Sequence, residues 1–150
     1  MHRIIIFSSL MGLMALAQSF GLVLISMYWM NNAELMHVFA LDLSHLQTML
    51  FLQLAAGGHL LLFVVRNRNS VFKPPFPSLP LLLAVIGTQI VAVFICAFGI
   101  FVPAISWELI GVVWVYVLVW MVIIDIVKLI YFSVVDKREK QSENLTKAIA

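Results

Sequence analysis

The chain has 150 residues, of which 63% are hydrophobic and only 11% charged. A water-soluble domain of this length covers its surface with polar side chains, and seven Asp and Glu, nine Lys and Arg and four His cannot do so. With a mean hydropathy of +1.08, the solvent for most of the chain is lipid. The formal charge of +2 does not indicate a nucleic-acid partner, because the basic residues lie in short loops beside apolar runs with no interleaved aromatics. A single cysteine, Cys96, excludes an intramolecular disulfide, and no Cys/His run has metal-ligand spacing.

Four apolar stretches follow in order, at about 4–30, 46–65, 79–102 and 109–135, each long enough for the ~20 residues a bilayer requires. Backbone amides in hydrocarbon find no water, and none of the stretches alternates like a barrel strand, so all four are predicted to be helices. The fold class is therefore all-α and polytopic, with 1–135 as the bundle and 136–150 as a polar, mixed-charge tail expected to be frayed. At the first span, Met1 to Ala17 has a basic start and an Ala15-Leu16-Ala17 ending like that of a cleavable signal peptide. Apolar sequence continues through Met30, which favours a full span. Ser44 and Gln47 form a capping-box pattern for the second, Pro80 suits the first turn of the third, and Ser106 suits the cap of the fourth.

An even number of spans puts both termini on one side, and cationic residues choose that side. Arg3, then Arg66, Arg68 and Lys73, then Lys137, Arg138, Lys140 and Lys147 all fall on it, whereas 31–45 and 103–108 hold no Lys or Arg. Both ends are expected to be cytoplasmic in a multi-pass protein of the cell membrane. Tyr28, Trp29 and Trp107 then meet the outer interface and Tyr131 the inner one. In this topology the Asn144-Leu145-Thr146 sequon is expected to face the cytoplasm and to have no role as a glycosylation site.

Polar residues within the spans are the candidates for function. Asp125 lies about 17 residues, roughly 25 Å of helix, beyond Glu108, and Lys128 is three positions further on the same face. Two readings are open: a proton or cation relay, or a self-neutralising structural pair in which Lys128 snorkels to the headgroups. The second is the simpler. His45 and His59 are about four turns apart on one face, a spacing that could serve stacked haems, but no other span supplies a second histidine. His59, after Ala55-Ala56-Gly57-Gly58, is expected to bond a neighbouring helix, with these small residues and Ala17 and Gly21 allowing close approach. Gln18, Gln47, Thr48, Gln53, Thr88 and Gln89 are candidates for inter-helix hydrogen bonds, each worth about 1 kcal/mol. Cys96 reads as a packing residue. There is no phosphate-cradling glycine loop, nucleophile elbow or zincin pattern, so no catalytic, cofactor or metal site is expected in this chain.

The order of several short motifs is more specific. Leu46-Gln47-Thr48, Phe51-Leu52, Leu54-Ala55, Gly58-His59-Leu60 and Phe63-Val64 lead into Arg66-Asn67-Arg68 and the loop Pro74-Pro75-Phe76-Pro77. Gly87-Thr88-Gln89-Ile90, Ala97-Phe98-Gly99, Ile105-Ser106-Trp107, Trp114-Val115-Tyr116 and Asp125-Ile126-Val127-Lys128 follow. In this order, from Arg3 to Phe132, the chain resembles the last four of the ten membrane helices of plasma-membrane proton-exporting P-type ATPases. Bacterial members commonly carry lysine where Gln53 stands and arginine where this chain has Pro74, and loss of those cations puts a transport role for the second helix in doubt.

The resemblance implies a supporting module of an ATP-driven proton pump, from a truncated or split gene, a fragmentary gene model, or a piece that reassembles with a separate chain. No position matches the family's phosphorylated Asp-Lys-Thr-Gly-Thr motif, nucleotide and actuator domains or proton-binding carboxylate; Asp136-Lys137 continues as Arg138-Glu139. ATP and Mg²⁺ would belong to the intact parent. The implied partners are the bilayer and the remaining pump helices and cytoplasmic domains. Rival readings are a stand-alone four-helix transporter, which lacks a mid-membrane carboxylate here, and an accessory or haem-bearing membrane subunit.

Overall fold

The computed structural model describes residues 2–32, 42–66, 68–71, 73–74 and 77–149. His37, Asn67, Pro75 and Phe76 lie outside the described residues. Four helices make up the fold: α1 (His2–Asn31), α2 (Leu43–Val65), α3 (Leu79–Phe98) and α4 (Trp107–Ile149). Each contains a window long and apolar enough to cross a membrane.

The helix ends show which local signals act. Asp42 caps α2, accepting from the Leu43 amide at 2.6 Å, and Ser44 donates to the same carboxylate at 3.2 Å. The expected Ser44–Gln47 box is therefore corrected: a carboxylate two residues upstream takes the capping role, which starts α2 earlier than 46. Ser78 precedes α3, with Pro80 in its first turn, where a missing amide hydrogen costs little. Ser106 caps α4 by accepting from the Leu109 amide at 3.3 Å.

The third span ends sooner than its apolar composition suggests. At Gly99 the backbone enters the left-handed region (φ 69), and the Gly99 and Ile100 amides both return to the Ile95 carbonyl. That motif stops a helix whatever the hydropathy of Ile100, Phe101 and Val102, so the span is corrected to end at Phe98. The connection folds back under the helix end, where the Ile105 amide donates to the Cys96 carbonyl at 3.0 Å. The tail is also corrected. Residues 136–149 continue α4 as helix, so its 43 residues extend about 64 Å, twice the ~30 Å hydrocarbon thickness.

Packing centres on α2 and α4. One buried cluster joins Leu22 of α1, Met49, Leu52 and Ala56 of α2, Ala92 and Cys96 of α3, and the 105–117 stretch. A smaller one joins Met11, Val64 and Ile124 near the other end. There Phe7 meets Tyr131 and Phe132 at 5.5 and 5.2 Å between ring centroids, with the Arg68 guanidinium 5.3 Å from the Phe132 ring. Many large apolar side chains remain exposed, among them Ile4, Leu24, Leu54, Leu83, Phe98 and Ile130. For a membrane bundle this is the ordinary outside surface.

Candidate functional site

The densest polar arrangement lies where α2 ends and α4 passes it. Asp125 is about 18 residues from the start of α4, roughly 27 Å along its axis, which puts the group near a hydrocarbon boundary. Lys128 Nζ is 2.7 Å from Asp125 Oδ1, and the lysine is 0% exposed. The same ammonium donates to the Val64 carbonyl at 2.9 Å and the Asn69 carbonyl at 2.7 Å. Asp125 in turn accepts from the Ser70 hydroxyl at 2.7 Å and the Val71 amide at 3.2 Å.

Each contact has a local cause. The last carbonyls of a helix have no partner within it, and a cation there complements the helix dipole, so Lys128 serves as a cap for α2. The chain beyond α2 then turns over Asp125, which satisfies its own amide and hydroxyl groups. All three ammonium hydrogens have an acceptor. The expectation that Lys128 snorkels outward is corrected: it points inward, because two main-chain carbonyls and a carboxylate outweigh the headgroup layer. The ion pair that both readings share is present, and its lysine closes the end of α2.

The remaining candidates form two smaller polar contacts. Gln89 on α3 donates to the Ala55 carbonyl at 3.0 Å, and its Nε2 lies 2.5 Å from His59 Nδ1. His59 is thus engaged by α3, and His45, whose Nδ1 has no partner among the described residues, is not brought to it. Gln53 is buried and accepts from the Ser19 hydroxyl at 3.3 Å. Gln18 lies against Gly57, with the Tyr116 hydroxyl donating to the Gln18 carbonyl at 2.5 Å.

Gly21 makes this last contact possible. A Cβ there would sit 2.6 Å from the Tyr116 hydroxyl oxygen. Ala56 and Gly57 serve close approach as expected, while Ala17 and Gly58 face outward. Thr48 donates to the Pro103 carbonyl at 2.9 Å, tying α2 to the α3–α4 connection. Thr88 instead bonds the Ala84 and Val85 carbonyls of its own helix, and Gln47 is exposed, so neither joins two helices here. Ser19, Ser70 and Tyr116 were missed by sequence reasoning. Hydroxyls are common in such chains, and nothing in their spacing signals a partner on another helix.

The described residues contain no group of three or more His, Cys, Asp or Glu that could hold a metal ion. Fold and contacts together define a multi-pass helical membrane protein whose internal polar residues tie helices together.

Comparison with known proteins sharpens this. The chain is 35% identical over 130 residues to a protein of Methanocaldococcus jannaschii named as an inferred cation-transporting ATPase. That alignment covers 87% of this chain but only 15% of the relative, so the chain spans a small part of the protein it matches. No protein-family model matches the chain, and no solved structure does.

Proposed function

We propose that the chain is the C-terminal membrane bundle of a proton-exporting P-type ATPase, a support for the transport helices rather than the transport path. In this reading both termini face the cytoplasm of a cell-membrane protein. ATP and Mg²⁺ are bound by the phosphorylation and nucleotide domains of a companion or parent chain, and the remaining pump helices pack against this bundle.

The observation that carries the reading is the state of Asp125. It is the one acidic residue within the four apolar spans, and it is held by Lys128, Ser70 and Val71 together. A transporting carboxylate must change its access and affinity during the cycle. The contacts that close Asp125 into the cap of a neighbouring helix support a structural role for it. The sequence similarity to part of a cation-transporting ATPase supports the same view, and the proton as cargo is proposed on the resemblance of motif order alone.

Co-purification of the tagged chain, followed by mass spectrometry, tests the reading. A companion with six membrane helices and an Asp-Lys-Thr-Gly-Thr motif, recovered in equal amount, is the expected result. Proton uptake by vesicles holding the purified chain alone, abolished by Asp125→Asn, would instead establish a self-contained transporter.

A further inference from the structure

Phe132 of α4 stands between two hollows at the end of the bundle where α2 gives way to the α2–α3 connection. One, about 180 Å³, is apolar and bounded by Ile4, Phe7, Tyr131 and Val135. The other, about 430 Å³, follows α4 past Ser133, Asp136, Lys137 and Lys140. Arg68 and Phe132 line both, so the two hollows adjoin at that pair.

We infer that the two together seat one anionic phospholipid, its phosphate among Arg68, Lys137 and Lys140 and the start of an acyl chain beside Phe7 and Phe132. Helix geometry gathers the polar wall, because Ser133, Lys137 and Lys140 are spaced by four and then three residues and share a face. Side chains on a helix lean toward its N-terminus, so both ammonium groups reach back toward the bilayer. Arg68 arrives from the chain after α2, its guanidinium 5.3 Å from the Phe132 ring centroid. An aromatic ring has no net charge. The stack therefore steadies the guanidinium without neutralising it, and its planar fork suits a phosphate.

Depth and charge point to the same occupant. Leu129, which lines the larger hollow, and Lys137 lie about 33 and 45 Å along α4 from Trp107. A bilayer has a hydrocarbon core of ~30 Å and measures ~40–45 Å with its headgroups, so this hollow lies in a headgroup layer. Among the described residues its wall holds three cations and one carboxylate. Setting Asp136 against any one of them still leaves two, as in basic pockets beside membrane helices that take anionic headgroups. A soluble anion would use the cations and leave the apolar hollow unfilled. An acidic protein segment would have to enter the headgroup layer. A phospholipid belongs at that depth and fills both parts.

Native mass spectrometry of the full chain in mild detergent tests this, with phosphatidylglycerol and phosphatidylcholine as paired probes and helical circular dichroism to verify folding. Phosphatidylglycerol should be retained more tightly than phosphatidylcholine. The Lys137→Gln, Lys140→Gln double variant should weaken its retention about 30-fold, or roughly fivefold per cation. Asp136→Asn should tighten it, since the carboxylate opposes the phosphate. Lys73→Gln, outside both hollows, should leave it unchanged. If the double variant fails to fold, Lys140→Gln alone carries the fivefold expectation. Equal retention of the two lipids, or unchanged retention in a folded double variant, would overturn the proposal. An equal loss in Lys73→Gln would show diffuse attraction in place of a site. Displacement of phosphatidylglycerol by soluble glycerol phosphate would assign the cations to a free phosphate, and an acidic companion chain crosslinked there instead of lipid would make the cleft a protein interface; each of these results also overturns it.

Discussion

The seam between α2 and α4 and the outward side of α3 both belong to apolar, membrane-length helices, yet they are held very differently. At the seam, a buried lysine and aspartate reach two carbonyls, a hydroxyl and an amide of the α2 end and the chain after it. α3 is linked to α2 through Gln89 and buries four residues, Val85, Gln89, Ala92 and Cys96, against seven on α2. Between membrane helices, apolar side chains gain little from leaving lipid for protein, so polar bonds and close backbone approach decide which contacts are firm. The most hydrophobic helix is therefore tied more lightly than the seam.

The largest effect is expected at the seam. Lys128→Met should lower stability by about 3–5 kcal/mol, because Asp125 would be left buried without its counter-charge. Denaturation in mixed micelles would measure it, and adding Asp125→Asn should restore most of the loss. A cost below about 1 kcal/mol would reduce the pair to the worth of an exposed salt bridge and remove the contrast between seam and α3.

Gly21→Ala comes next. Its new methyl would press on the Tyr116 hydroxyl, for an expected loss of about 1–3 kcal/mol. Tyr116→Phe in the same chain should relieve much of it, a coupling that a double-mutant cycle reads directly. On α3, Gln89→Leu should cost about 0.6–1.7 kcal/mol, with faster hydrogen exchange along 79–98 and little change in α4. The smallest effect belongs to Thr48→Val, about 0.6 kcal/mol, seen as faster exchange confined to the 99–106 connection.

Much of the fold could be read in advance because membrane insertion imposes a one-dimensional rule. A run of ~20 apolar residues must satisfy its own backbone bonds, and four such runs appear here as four helices. The errors came where a local device overrides hydropathy. Asp42 starts α2 before its apolar run, and the left-handed Gly99 stops α3 inside one. Polar composition at 136–149 suggested fraying, but those residues continue a helix already nucleated, where propagation is easier than initiation.

The candidate residues were legible as types and not as partnerships. Asp125 and Lys128 are three apart on one helix, so their pairing follows from helical geometry alone. Their bonds to Val64, Asn69, Ser70 and Val71 span more than fifty residues of chain, a separation that no periodicity encodes. Gln89 and His59 were each expected to bond another helix, yet only the register between α2 and α3 makes them each other's neighbours.

What the amino-acid order determined alone is the solvent and the number of crossings, because both depend on apolar length and local backbone satisfaction. Which side chain answers which carbonyl, and that Lys128 turns inward instead of toward the headgroups, was decided by tertiary structure. A buried charge takes the partners that packing brings within hydrogen-bonding reach, and packing joins residues far apart in the chain.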